Sequence, residues 1–105
     1  MTLKTAYGVY ENCFLRLNHY RADESLYVGL YDDEGPVATL TVCLEDSERL
    51  SNESYLDVNN VPEAVDFVRE YGLAELTGEF ASSGFCWYPV VIWNMDTLAE
   101  YEGGK

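Results

Sequence analysis

The groups that could do chemistry in this chain are few, and their spacing fits no familiar reaction. His19 is the only histidine, so a two-histidine metal site or a histidine-activated nucleophile lacks its second member. It continues the alternation of Cys13, Leu15 and Leu17, which makes it a strand-end histidine with a backbone partner. Ser82 and Ser83 have no activating base in their sequence context and read as turn residues. Gly78 and Gly84 bracket "EFASS" without the lysine that a phosphate-cradling loop needs. Cys13, Cys43 and Cys86 are far apart, odd in number and free of any CxxC pattern, which suits reduced thiols in a cytoplasm. Asp32, Asp33 and Glu34 crowd one turn, but they lack the alternating ligands and distal bidentate glutamate of a calcium loop. Nothing singles out a hydrolytic pair among the 19 acids. The expectation is a protein that is not an enzyme and holds no cofactor or metal.

The elements that must position these residues follow from periodicity. "CFLRLNHY" (13–20) alternates with period two, as does "SLYVGLY" (25–31), whose Leu26, Val28 and Leu30 face one side. The turn Asp32-Asp33-Glu34-Gly35 leads into "PVATLTVCL" (36–44), so two consecutive hairpins form an antiparallel meander. "YLDV" (55–58) can add a short strand. "NNVPEAVDFVREYGL" carries helix signals: Asn60 to cap, Pro62 in the first turn, Glu63 to complete the box, and Gly72 to stop it. Val61, Ala64, Val65, Val68 and Tyr71 share one face of that helix. Residues 73–84 read as a link to the strand "FCWYPVVIWN" (85–94), and the tail offers one helical turn with Asp96 as its cap before fraying at Gly103-Gly104. At 105 residues the chain is one domain spanning 1–105. Its predicted class is α+β: an antiparallel meander sheet of four to five strands with one main helix, about 61–71, packed on one face.

Charge is the strongest global feature, with 19 acids against 6 bases and a net charge of −13. Nucleic acids and anionic lipid are bound by Lys and Arg neutralising phosphates, so neither is an expected partner. The apolar run near Trp87–Trp93 is far short of the roughly 20 residues of a membrane span, and "MTLKTAYGVYENCF" lacks the pattern of a secretory signal. A cytoplasmic location is expected. A basic or nucleic-acid-handling protein is the favoured partner. If the Leu26/Val28/Leu30 face takes the helix, the opposite face presents Phe14, Arg16, Tyr20, Tyr27 and Tyr31, the composition of a binding surface. In "WYPVVIW" both faces are apolar, so Trp87 and Trp93 belong either under cover or in an interface. The candidate partner-binding set is Tyr27, Tyr31, Asp32, Asp33, Glu34, Glu45, Asp46, Glu48, Trp87 and Trp93. The acids are either a solvated surface or rows that imitate nucleic-acid phosphates. A mimic needs linear clusters, because DNA carries one charge per roughly 1.7 Å of axis. Asp23/Glu24 and Glu53 with Asp57 would extend such rows.

The segments "LRLNHY", "LYVGLYDDEGPVATLTVCL" and "SGFCWYPV", taken in order over roughly residues 15–91, resemble a small uncharacterised family. Its members are domain-of-unknown-function proteins from plasmids and conjugative elements of Gram-positive and gut bacteria. The resemblance implies a small cytosolic α+β domain in a mobile-element setting and supplies no catalytic residues. By analogy, that setting favours acidic decoys that shield incoming DNA from host defence. The functional expectation is a non-enzymatic, acidic protein–protein interaction module, in its sharper form a DNA mimic. The alternative is a homodimeric accessory protein whose aromatic sheet face, with Tyr27 and Trp93, is its own interface.

Overall fold

A computed structural model describes residues 1–21, 24–44 and 52–103. Its N-terminal hairpin, β1 (Leu3–Thr5) with β2 (Gly8–Tyr10), has no counterpart in the sequence reading. The predicted meander follows it. β3 (Phe14–His19), β4 (Leu26–Asp32) and β5 (Gly35–Thr39) pair antiparallel in chain order. It does not grow into one sheet of four to five strands. β6 (Thr41–Val42), β7 (Glu53–Leu56), β8 (Ala74–Ser83) and β9 (Cys86–Trp93) form a separate antiparallel sheet in the order β6-β7-β9-β8.

Leu40 is the residue at which the chain changes sheets. Its N–H donates to Val28 O at 2.9 Å, within the first sheet, while its carbonyl accepts from Asp57 N at 2.9 Å, just past β7. A strand that bends between sheets in this way makes a corner rather than a continuous meander. Thr41 seals the corner: its hydroxyl oxygen accepts from Val28 N at 3.2 Å and pairs with Tyr20 Oη at 2.9 Å.

The helix is shorter than its sequence signals suggest. α1 spans Ala64–Glu70 and Glu63 occupies its N-cap position without a side-chain cap bond. Asn60 does not cap it, because it lies three residues before the cap position; its backbone N–H (3.3 Å) and Nδ2 (2.9 Å) instead donate to the Asp57 carboxylate. The C-terminal signal holds. Gly72 adopts φ +63°, and Leu73 N reaches Val68 O while Gly72 N reaches Arg69 O, the paired bonds of a Schellman stop. A second helix, α2 (Met95–Tyr101), is capped by Asn94 rather than Asp96, through Oδ1 accepting from Thr97 N at 3.2 Å. The tail then returns to the sheet instead of fraying at Gly103, whose N–H donates to Leu15 O at 3.0 Å. Glu102 forms a parallel bridge to Leu15 there.

One buried cluster joins these elements. Leu15, Leu26, Val28 and Leu30 line the first sheet, Leu56, Val91 and Trp93 the second, with Phe67 and Val68 of α1 and Leu98 of α2. Full burial of each such side chain contributes about 1.5–3 kcal/mol. Ser54 ties the two sheets together inside it: its hydroxyl donates to Leu26 O and accepts from Trp93 Nε1. A smaller cluster of Tyr55, Tyr88 and Val90, with Val42, Leu44, Ala81 and Cys86, covers part of the other face of the second sheet. Among the described residues, no helix is long and apolar enough to cross a membrane.

Candidate protein-interaction surface

Alternation in β3 and β4 turns Leu15, Leu26, Val28 and Leu30 inward, so Phe14, Arg16, Tyr27 and Tyr31 take the opposite face. The register brings Phe14 opposite Tyr31, Arg16 opposite Gly29 and Asn18 opposite Tyr27. Phe14 and Tyr31 stack with centroids 6.2 Å apart and planes at 20°. The Arg16 guanidinium carbon lies 4.7 Å from the Tyr31 ring centroid, within the range of a cation–π contact. Tyr20 meets Tyr27 edge-on at 5.8 Å. Gly29 makes this packing possible. A Cβ there would fall 2.5 Å from Tyr27 Oη and 2.9 Å from Tyr31 Cε1, so both rings close over the space a side chain would fill. The result is a stripe of three tyrosines and a phenylalanine with a guanidinium laid on it.

The acidic turn stands at one end of the stripe and has a split role. Asp32 is structural, because its Oδ1 accepts the Glu34 N–H at 2.8 Å and shapes the hairpin. Asp33 and Glu34 are exposed. Phe14, Arg16, Tyr31, Asp32, Asp33, Glu34 and Gly35 line one open depression of about 500 Å³. Four members of the predicted partner-binding set therefore come together here, and Tyr27 adjoins them through Gly29. A second groove of about 540 Å³ runs between the N-terminal hairpin and α1. It sets Glu11, Glu63, Asp66 and Glu70 against a single lysine, Lys4, over Leu3, Phe67 and Tyr71.

The remaining predicted residues separate. Trp87 is exposed on β9 (63 %), in the other sheet from the Tyr31 stripe. Trp93 is a correction to the surface set: it is 2 % exposed and its indole nitrogen is bonded to Ser54 at 2.9 Å. Asp57 likewise leaves the proposed acidic row, since it is buried and engaged by Asn60. Glu45, Asp46, Glu48 and Asp23 lie outside the described residues. Among the described residues no group of three His, Cys, Asp or Glu is placed to hold a metal ion. Cys13 is buried, Cys43 and Cys86 are partly so, and none is in a disulfide. Sequence reasoning missed Phe80 and Phe85, exposed at the end of the β8–β9 hairpin. Gly84, which takes φ +61° at the first position of the two-residue loop Gly84-Phe85, was the signal for the turn.

Three tyrosines carry raised pKa values, one through a hydrogen bond and two through burial. Tyr31 is held above the usual 10.0 chiefly by its side-chain hydrogen bond with Tyr27, with Arg16 opposing. Burial raises Tyr20, against the Thr41 hydrogen bond, and burial also leads for Tyr88, helped by Cys86. In each case the fold favours the neutral phenol. This contribution is fully present below the unfolded value near 10 and is lost as pH rises through the higher folded value. Absorbance at 295 nm during alkaline titration should show Tyr20, Tyr31 and Tyr88 ionising above the usual tyrosine value of 10.0, with unfolding following. If Tyr20→Phe, Tyr31→Phe and Tyr88→Phe each remove signal only from the part of the titration at the usual value of 10.0, the packing described is contradicted.

No curated protein and no solved structure matches the chain. A family model does match, over residues 14–104, starting at β3 and leaving the N-terminal hairpin outside. The sheet pair, both helices and the aromatic stripe all fall within that span, and the chain belongs to the family described as the domain of unknown function DUF4313.

Proposed function

We propose that the protein is a non-enzymatic interaction module that holds a basic, nucleic-acid-handling protein against the outer face of β3 and β4. The carrying observation is the depression in which Phe14, Arg16 and Tyr31 adjoin Asp33 and Glu34. Half-buried aromatics with an exposed arginine supply the anchors typical of binding hot spots. Carboxylates at their edge and a net charge of −13 attract a cationic partner and exclude an anionic one. The carboxylate-rimmed groove beside α1 adds to the same field.

The finer form of this reading is a DNA mimic acting on a host defence protein, encoded by a bacterial mobile element and working in the cytoplasm. It rests on the acidity and on the resemblance in "LYVGLYDDEGPVATLTVCL". Free thiols agree with a reducing compartment. The test is capture from nuclease-treated bacterial lysate on the immobilised protein, with washes at low and then high salt. Nucleic-acid-handling proteins should be retained at low salt and released at high salt. Retention of anionic proteins, or of none, would refute the proposal.

A further inference from the structure

We propose that the outer edge of β8, at Phe80–Ser83, pairs with the same edge of a second copy and joins two four-stranded sheets into one across a twofold axis. This is independent of the reading above, since β8 belongs to the other sheet. β8 stands at the end of the order β6-β7-β9-β8, so its only strand neighbour among the described residues is β9. The hairpin register runs Ser83↔Cys86, Ser82↔Trp87, Ala81↔Tyr88 and Phe80↔Pro89. A two-residue loop closes on a hydrogen-bonded pair, and such pairs alternate. Ser83 and Ala81 therefore bond to β9, while Phe80 and Ser82 direct their backbone N–H and C=O outward. Pro89, which has no N–H, stands opposite Phe80, where the β8–β9 ladder requires none.

Edges are ordinarily guarded by charge, proline or irregularity. β8 has these guards only in its first part, with Glu75, Glu79 and the register shift between Leu76 and Phe80. Beyond them, Phe80-Ala81-Ser82-Ser83 is uncharged. Antiparallel self-pairing centred on Ala81 fits this stretch in detail. Ala81 meets its twin at a closely spaced pair, where small side chains fit. Phe80 meets Ser82 of the second copy, bringing the outward N–H and C=O groups of both together. Glu79 meets Ser83, so no carboxylate faces another, and the two Glu79 residues stand about 13 Å apart along the strands, beyond the Debye length of about 8 Å at physiological salt.

The same register gathers exposed aromatics. Phe80 (58 % exposed) and Trp87 (63 %) lie on one face of the hairpin. Across the joined sheets one row would run Trp87, Ser82, then Phe80 and Pro89 of the second copy, with Ser82 leaving room for the two rings. With Phe85 at the tip, the aromatics offer roughly 400 Å² per copy. Two copies, with the paired backbones added, reach the roughly 1,000 Å² that a specific interface needs.

Light scattering on the full chain across a concentration series reads the oligomeric state. The expected result is a dimer that persists or strengthens with salt, the reverse of basic-partner binding. Ser82→Pro removes one outward donor per copy and none within the hairpin, and should weaken the dimer about 30-fold. Should that variant fold poorly, Ala81→Cys decides the register: it should crosslink readily under mild oxidation. Ser83→Cys should remain at the background of the native thiols, its two copies being too far apart for a disulfide. A monomer at every concentration overturns the proposal. So does a dimer that Ala81→Cys fails to crosslink.

Discussion

Trp93→Ala should lower folding stability by about 3–5 kcal/mol, the range for truncating a large buried aromatic. For a domain of this size that is a fall in melting temperature of at least about 12 °C. Two effects act at once. The indole leaves a cavity in the cluster shared by Val91, Leu98, Phe67 and the inner residues of the first sheet. Ser54 Oγ loses the N–H donated to it at 2.9 Å. Ser54→Ala separates the second effect, since it keeps the indole but leaves Trp93 Nε1 and Leu26 O without this partner, at about 1–3 kcal/mol for each group left unpaired. Trp87→Phe is the control. Its indole is 63 % exposed, and the change should stay within about 0.5 kcal/mol. Denaturant melts followed by circular dichroism rank the three variants. Equal losses at Trp87 and Trp93 would mean that Trp93 does not fasten the two sheets.

Those two tryptophans also show what the sequence could and could not convey. Both have the same parity on β9, and alternation assigns them to one face. Parity names a face, but cover along a face depends on where the neighbouring elements stop. Trp93 lies under the cluster that the first sheet and both helices build over the second sheet, whereas Trp87 stands beyond its end and is exposed. The meander was legible for the opposite reason. β3 and β4 alternate with period two and pair without a break, so their faces needed no distant information, whereas the register shift between Leu30 and Tyr31 in the pairing with β5 left no mark in the sequence. Division into two sheets left no mark, because the corner is a leucine with no glycine or proline beside it. β8 was hidden by its own irregularity between Leu76 and Phe80, which breaks the alternation a strand is recognised by. Asn60 has the type and spacing of a cap, but the helix begins later, at Ala64, with Glu63 in the cap position. Of the candidate site, the aromatic face was legible as composition. The closure of Tyr27 and Tyr31 over Gly29 required the fold.

That closure makes Tyr31 the residue on which binding should depend most. Its ring stacks on Phe14, carries the Arg16 guanidinium and hydrogen-bonds to Tyr27, so Tyr31→Ala dissolves the surface while leaving the inner face of β4 intact. Retention of captured proteins should fall about 30-fold or more, as for a central anchor, with the melting temperature little changed. Tyr31→Phe keeps the stack and the cation–π contact and should retain most of the binding. Charge should show a different signature. Neutralising Asp33 and Glu34 to Asn and Gln should flatten the salt dependence and slow association more than it shortens the lifetime of the complex. Asp32 must stay in this comparison, because its carboxylate holds the Glu34 N–H at 2.8 Å. Asp32→Ala should cost stability of about 1 kcal/mol, as loss of a comparable side-chain cap does. If Tyr31→Ala binds as the wild type does while the Asp33/Glu34 variant does not, recognition lies in the acidic field and the aromatic stripe is packing alone. The reverse result would make the acids a solvated rim and the stripe the site, leaving the DNA-mimic form without its foundation.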